Sequence, residues 1–410
     1  MTVTRRQFGT LLGASFGYAL SRQSVAATGL VANGDDDPLE LREGFACRVI
    51  SRFGDTMSDG YRSPGLPDGM GCFAGPGGEY ILMRNHEVSA LDYFHSPYFW
   101  GQMPPDETYD AKGMGGVTRL VVNPTSLQVE SSNLVLTGTV RNCAGGLSPW
   151  GWLTCEETVE DNHGYVFICD PNAESVAAPQ RLAVYGRFNH EAACVDFQTR
   201  VAYLTEDRGD SCFYRFLPTD PAAPFVGRFQ ALKIQSVSRR DMNHDLRVGD
   251  SLAVEWVDVA HQDSAGDDLR HRAQTQGAAV FARGEGLWQE GSQIYFSCTS
   301  GGPARKGQIF CLELSSSELR LVAQSESSDQ LDMPDNITVR DGKVYLAEDG
   351  SGDQFIRVVK PDGELVNLAR NRISSSEIAG LCFSPDGQVL FANIQRDGLT
   401  VAITGPFADV

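Results

Sequence analysis

Short runs of apolar and β-branched residues recur along the chain, and most end in polar or acidic residues. They are EYILMRNHE (79–87), WLTCEE (152–157) with GYVFIC (164–169), VAYLTEDRGDSCFYRF (201–216), IYFSCTSGGPARKGQIFCLEL (294–314), KVYLAEDGSGDQFIRVV (343–359) and VLFANIQ (389–395). Turn signals such as SPDGQ, KPDGE, VRDGK and DPNAE lie between them. Val, Ile, Tyr and Phe fill the runs, and helical periodicity is scarce, so the pattern predicts an all-β chain. The units recur at roughly 45–90 residues, each a small antiparallel set of strands, which predicts a β-propeller of six blades. A large β-sandwich is the rival. The propeller fits better because all six units end in the same chemistry.

In a propeller the innermost strand of each blade runs along the central channel. Corresponding strand ends then converge on one mouth. The expected ring is Glu87, Glu156 and Glu157, Glu206 and Asp207, Thr299, Glu348 and Asp349, and Asn393 and Gln395. Any one acidic pair at a strand end reads equally well as a solvated turn; the repetition is the signal. Such a ring needs cations. Oxygen donors suit calcium or magnesium, and also Fe(III). Cys143 sits in a Gly-bounded turn, RNCAGG, rather than in an apolar run, and a thiolate among carboxylates points to a transition metal. Glu285 lies between glycines, where the backbone can approach an ion. Glu191 follows His190, which reads as a structural hydrogen-bonder or as a ligand. His244, His261 and His271 lie in a charge-mixed stretch without ligand spacing and read as surface.

Composition narrows the setting. At 410 residues and 41% hydrophobic, the chain can bury a large core. Arg5-Arg6 before an apolar stretch reads as a twin-arginine leader over residues 1–27, then a linker over 28–44 and one propeller over 45–410. The expectation is therefore export through the twin-arginine translocase to the periplasm or beyond, as a monomer with no stable membrane insertion. The net charge is −19, and the leader carries Arg5, Arg6 and Arg22 but no acid, leaving −22 after its removal. That excludes nucleic acid and anionic membranes as natural partners. The ten cysteines form no CxxC pair, and several lie in apolar runs as small buried hydrophobes.

The set LPDGMG (66–71), RNHE (84–87), GGVTRLVV (115–122), RNCAGG (141–146), NHEAACVD (189–196) and EIAGLCFSPDGQVLFANIQ (377–395), with the TED, GEG and AED runs between, resembles the PhoX-type alkaline phosphatases. The matches run in order from about residue 45 to the C-terminus. The resemblance implies a six-bladed propeller that hydrolyses small-molecule phosphate monoesters at an axial centre of Fe(III) and Ca2+. It implies that Cys143 is the iron-binding thiolate and that Glu156, Glu157, Glu191, Glu206, Glu285 and Glu348 are ligands. Arg84 and Arg141 are candidates for orienting the phosphate, with Asn142 of the same motif beside them. The chain departs from the family at PWGWLTCEE, one residue short between Trp150 and Trp152, which would shift Glu156 and Glu157 relative to Cys143. Two other readings share the acidic axis: a calcium-dependent lactonase or phosphodiesterase, and a non-catalytic propeller that binds a ligand.

Overall fold

The computed structural model describes residues 30, 31, 34 and 37–410. The leader expected over residues 1–27 lies outside the described residues. The fold is all-β and propeller-like, with one short α-helix among the described residues, Leu269–Thr275. Its strands form five antiparallel sheets: three of four strands, one of six and one of nine. Six separate sheets were expected. The difference arises at Ser251–Asp258, which pairs with Gly227–Ile234 on one side and Glu318–Gln324 on the other, fusing two four-strand groups.

Six strands line the axis: Pro67–Ala74, Asn142–Ser148, His190–Val195, Gly284–Glu290, Pro334–Arg340 and Ile378–Phe383. Each packs against the next, and the last packs against the first, closing a circle. The acid-tipped runs picked out in the sequence are therefore the second strands, one step out from the axis. The circle closes covalently distant parts of the chain, because Ala46–Arg52 pairs with Leu399–Thr404. Leu39–Arg42, within the stretch read as a linker, forms a strand on Leu365–Asn371 and buries Leu39 and Leu41. Aromatic side chains fill the space between sheets. Phe213 stacks on Phe296 with ring centroids 4.3 Å apart, and Phe296 on Phe310 at 5.3 Å. Nine of the ten cysteines are buried, and none is paired.

One local arrangement recurs at all six axial strands and positions the site. The first paired residues of each hairpin are Pro67 and His86, Asn142 and Glu156, His190 and Glu206, Gly284 and Cys298, Pro334 and Glu348, and Ile378 and Ile394. The residue after each second strand donates its backbone N–H to the residue before the axial strand. These bonds run from Glu87 to Leu66, Glu157 to Arg141, Asp207 to Asn189, Thr299 to Arg283, Asp349 to Met333 and Gln395 to Glu377. A register shift follows at once in five axial strands, and one pair later, after Ala379, in the sixth, as in a β-bulge. A bulge breaks the alternation of side chains and re-aims one of them. The short PWG spacing falls in the two-residue turn Pro149–Trp150, at the far end of its hairpin. At the near end Asn142 pairs with Glu156, which places Cys143 and Glu157 in one metal-ligand group.

Candidate metal centre

The residue just past each pairing position is Asp68, Cys143, Glu191, Glu285 and Asp335 in five of the axial strands. The sixth has Ala379 near that position, and Glu377 immediately before the strand supplies the carboxylate instead. Donor atoms of these residues, with Glu87, Glu157 and Asp349 from the second-strand ends, fall into four groups. They are Asp68–Glu87–Cys143, Cys143–Glu157–Glu191, Glu191–Glu285–Asp335 and Asp335–Asp349–Glu377, each with its donors within 4.8 Å of one another. Neighbouring groups share a residue, so the donors form one continuous string across the axis.

The donors are buried or half-buried, and their charges answer to that. Burial, and then the Glu87 charge, push the Asp68 carboxyl up to about 7. Burial, reinforced by neighbouring acids, holds Glu191, Glu285, Asp335 and Glu377 well above the usual carboxylate range. Glu157 is also raised well above it by burial and the Glu87 charge, against the pull of Arg141. The Cys143 thiol is raised too, first by burial and then by Asp68. It donates to Asp68 at 3.4 Å, and Gln395 donates to Asp68 and to Glu87, both at 3.0 Å. Two guanidiniums offset the acids. Arg141 donates to Glu87 at 2.7 and 3.0 Å and also to Glu157. Arg283 donates to Asp207 at 2.8 and 3.1 Å and to Glu285 at 2.6 Å. A cavity of about 430 Å³ opens over one end of the string, lined by Glu87, Ser89, Asp92, His95, Arg141 and Gln395 among others.

The donors fit cations. Both carboxylate oxygens of Glu191 are buried with no hydrogen-bond partner. A buried carboxylate left in that state is costly. Glu191 belongs to two of the four groups, so an ion on either side satisfies it. Two groups contain the Cys143 sulfur, and two contain oxygen donors only.

Of the residues expected at the site, Glu87, Cys143, Glu157, Glu191, Glu285 and Asp349 come together in these groups. Asp207 stands beside them, held by Arg283. The structure turns the others away. Consecutive strand residues point to opposite faces, so the first acid of each pair enters its own sheet. Glu156 accepts from the backbone N–H groups of Val140, Gly164 and Tyr165 and lies 2.6 Å from His163 Nδ1. Glu206 accepts from the Tyr214 hydroxyl at 2.8 Å. Glu348 accepts from Arg357 at 2.5 Å and from the Asp332 N–H at 2.8 Å. Arg84 is buried away from the centre, where it donates to Ser63, Thr118 and Thr400. Asn142 is likewise structural, donating to Thr154 and accepting from Thr139. Thr299 caps the Pro334 carbonyl, and Asn393 donates to the Asp68 carbonyl. His190 stacks on Phe188 at 3.6 Å, with Nε2 3.1 Å from the Gly186 carbonyl.

Asp68, Asp335, Glu377 and Arg283 were missed by sequence reasoning. Pro67-Asp68-Gly69 has the same spelling as the turns at 361–363 and 385–387, so it reads as a turn. The available signal was Leu-Pro-Asp at 66–68 recurring as Met-Pro-Asp at 333–335, each just before an apolar run.

The family model described as alkaline phosphatase PhoX matches residues 27–134 and 125–398. Among solved structures, PhoX of Pseudomonas fluorescens in complex with vanadate, a transition-state analogue, is similar at TM-score 0.68 and 18% identity, covering 92% of this chain and 97% of that one. A gluconolactonase of Xanthomonas campestris, XC5397, is similar at TM-score 0.47 and 12% identity, covering 89% of this chain and 99% of that one. At these identities the likeness is one of fold. No curated protein matches the sequence.

Proposed function

The chain belongs to the alkaline phosphatase PhoX family, and from that premise we propose that it hydrolyses phosphate monoesters at an iron–calcium centre on the axis of a six-bladed propeller. The nine-stranded sheet counts as two blades joined at Ser251–Asp258, and the six repeated strand junctions support that count. The observation that carries the function is the shared string of donors, with Glu191 unsatisfied inside it.

The donor sets divide the metals. Asp68, Glu87, Cys143, Glu157 and Glu191 combine a thiol with carboxylates and suit iron. Glu191, Glu285, Asp335, Asp349 and Glu377 offer oxygen alone and suit calcium. When bound, such ions supply Lewis acidity that offsets the charge growing on the phosphoryl oxygens. Cys143 loses its proton on loading, because only the thiolate ligates. Arg141 and Arg283 occupy equivalent positions, each one residue before its axial strand. A planar guanidinium can present two parallel N–H groups to a phosphoryl group, so these two arginines orient the ester. Arg84 has no part in this.

Twin-arginine export to the periplasm or medium rests on Arg5-Arg6, and the enzyme is read as a monomer. Replacing both arginines with lysine should leave the protein in the cytoplasm on fractionation. The function itself is tested by elemental analysis of the metal-loaded protein, together with phosphate release from ethyl phosphate at alkaline pH. Protein that holds neither iron nor calcium and releases no phosphate would refute the reading.

A further inference from the structure

Beside the cavity runs a segment whose apolar side chains face outward. Of eleven large hydrophobic side chains exposed among the described residues, six lie between residues 91 and 103: Leu91, Tyr93, Phe94, Phe99, Trp100 and Met103. Leu91 is 93% exposed, Met103 78% and Phe94 64%. A patch of this kind marks a binding surface more often than chance.

The segment is tied to the mouth of the centre. Ala90–His95 is a 3₁₀ helix capped by Ser89, whose hydroxyl accepts from the Leu91 N–H. Ser89, Asp92 and His95 line the cavity with Glu87 and Arg141. Leu91 and Phe94, between them in the chain, stand exposed to solvent. The rings connect the two. Phe94 meets Phe99 at 5.1 Å, Phe99 meets Trp100 at 5.3 Å, Trp100 meets Phe53 at 5.2 Å, and Phe53 meets His95 at 5.1 Å. An apolar strip therefore runs from the cavity wall outward.

We propose that this strip binds the leaving-group side of the substrate and makes the enzyme selective for phosphate monoesters of apolar alcohols. The inference rests on the phosphatase reading above. The dianionic head goes to the axial centre and Arg141, and the hydrocarbon lies along Phe94 and Trp100. Residues 89–103 contain no lysine or arginine. Surface-binding segments of membrane proteins normally flank their apolar face with such residues, so an ester tail is the better occupant than a bilayer.

Straight-chain alkyl phosphates from ethyl to octyl test this, since chain length leaves the acidity of the leaving alcohol nearly constant. In the metal-loaded protein kcat/KM should rise with length, by up to about fourfold per buried methylene. In the triple variant Leu91→Ser, Phe94→Ser, Met103→Ser, the octyl-to-ethyl ratio of kcat/KM should collapse toward unity. A flat series in the unaltered protein overturns the proposal, as does a variant that slows every ester equally. Co-sedimentation with phosphatidylcholine vesicles, or a dimer lost in the variant, together with a flat series, gives the patch to a membrane or a second copy. Failure of the phosphatase reading looks different, because no ester is then cleaved. Calorimetric titration with octylphosphonate against ethylphosphonate, in the parent and the triple variant, then still reads the strip, and equal affinity of the parent for the two overturns it.

Discussion

Glu191 enters the axis with both oxygens buried and unpartnered. Its carboxyl is held well above the ordinary range by burial first and by Asp335 next. Such a group strains the metal-free protein and is relieved by a cation. Glu191→Gln removes the charge and keeps the shape. Bound metal should fall, activity should drop at least a hundredfold, and the metal-free protein at pH 8 should melt no lower than the parent. Loss of fold without loss of metal would contradict this. Arg84 is the reverse case. Burial lowers its guanidinium to about 10, yet it serves three hydroxyls and no ligand. Arg84→Met removes all three bonds, although Thr118 keeps His86 and Thr400 keeps Asn393. It should cost roughly 1–3 kcal/mol in chemical denaturation while metal content holds. Single residues were legible in the sequence where chemistry and context disagreed, as for Cys143 in its glycine turn. Asp68 and Asp335 were hidden because Pro-Asp spells a turn, and Arg84 misled because a buried cation and a phosphate clamp look alike in a motif.

Strand parity separates roles that the acidic pairs leave mixed. In Glu156-Glu157, Glu206-Asp207 and Glu348-Asp349 the first acid fastens the sheet and the second faces the axis. The sequence marks both alike, because a one-residue difference in facing depends on where the last ladder bond falls. The bulge in each axial strand has no local spelling either, so the innermost strands were taken for the ones carrying the acids. Once the register is known, the pairs can be told apart by experiment. Glu156→Gln disturbs an acceptor of three backbone N–H groups and a histidine. It should lower unfolding free energy by about 1–3 kcal/mol and leave metal content intact. Glu157→Gln should lower metal content with little change in the unfolding of metal-free protein. Equal effects of the two variants on metal would show that parity does not sort them.

At the scale of the molecule, recurring apolar, β-branched runs between turn signals were enough to read an all-β, propeller-like fold, and the recurrence of acids was enough to expect on its axis a cluster of carboxylates that could hold cations. The joining of two strand groups by Ser251–Asp258 and the strand at Leu39–Arg42 depend on edges meeting in space, which no local pattern records. The assembled ring has a consequence that no single blade has. Asp68 is raised to about 7, and Glu157, Glu191, Glu285, Asp335, Asp349 and Glu377 are raised as well; Glu206 and Glu348, buried inside their own sheets, add to the same effect at about 7. Each binds its proton more tightly folded than unfolded, so each destabilises the fold as pH climbs from its unfolded value, 3.8 for Asp and 4.5 for Glu, through its folded one. His86 and His190, buried and lowered, act oppositely below about 6.5, but nine acids outweigh two imidazoles. Chelator-treated protein should therefore melt lower at pH 8 than at pH 5. Calcium and iron reverse the slope, because deprotonated ligands bind them better as pH rises; at a hundred times Kd one site adds about 2.7 kcal/mol. Thermal melts at the two pH values, with and without the ions, measure both slopes. A metal-free protein that gains stability between pH 5 and 8 would mean that the axial carboxylates are solvated, and the cation centre would lose its physical basis.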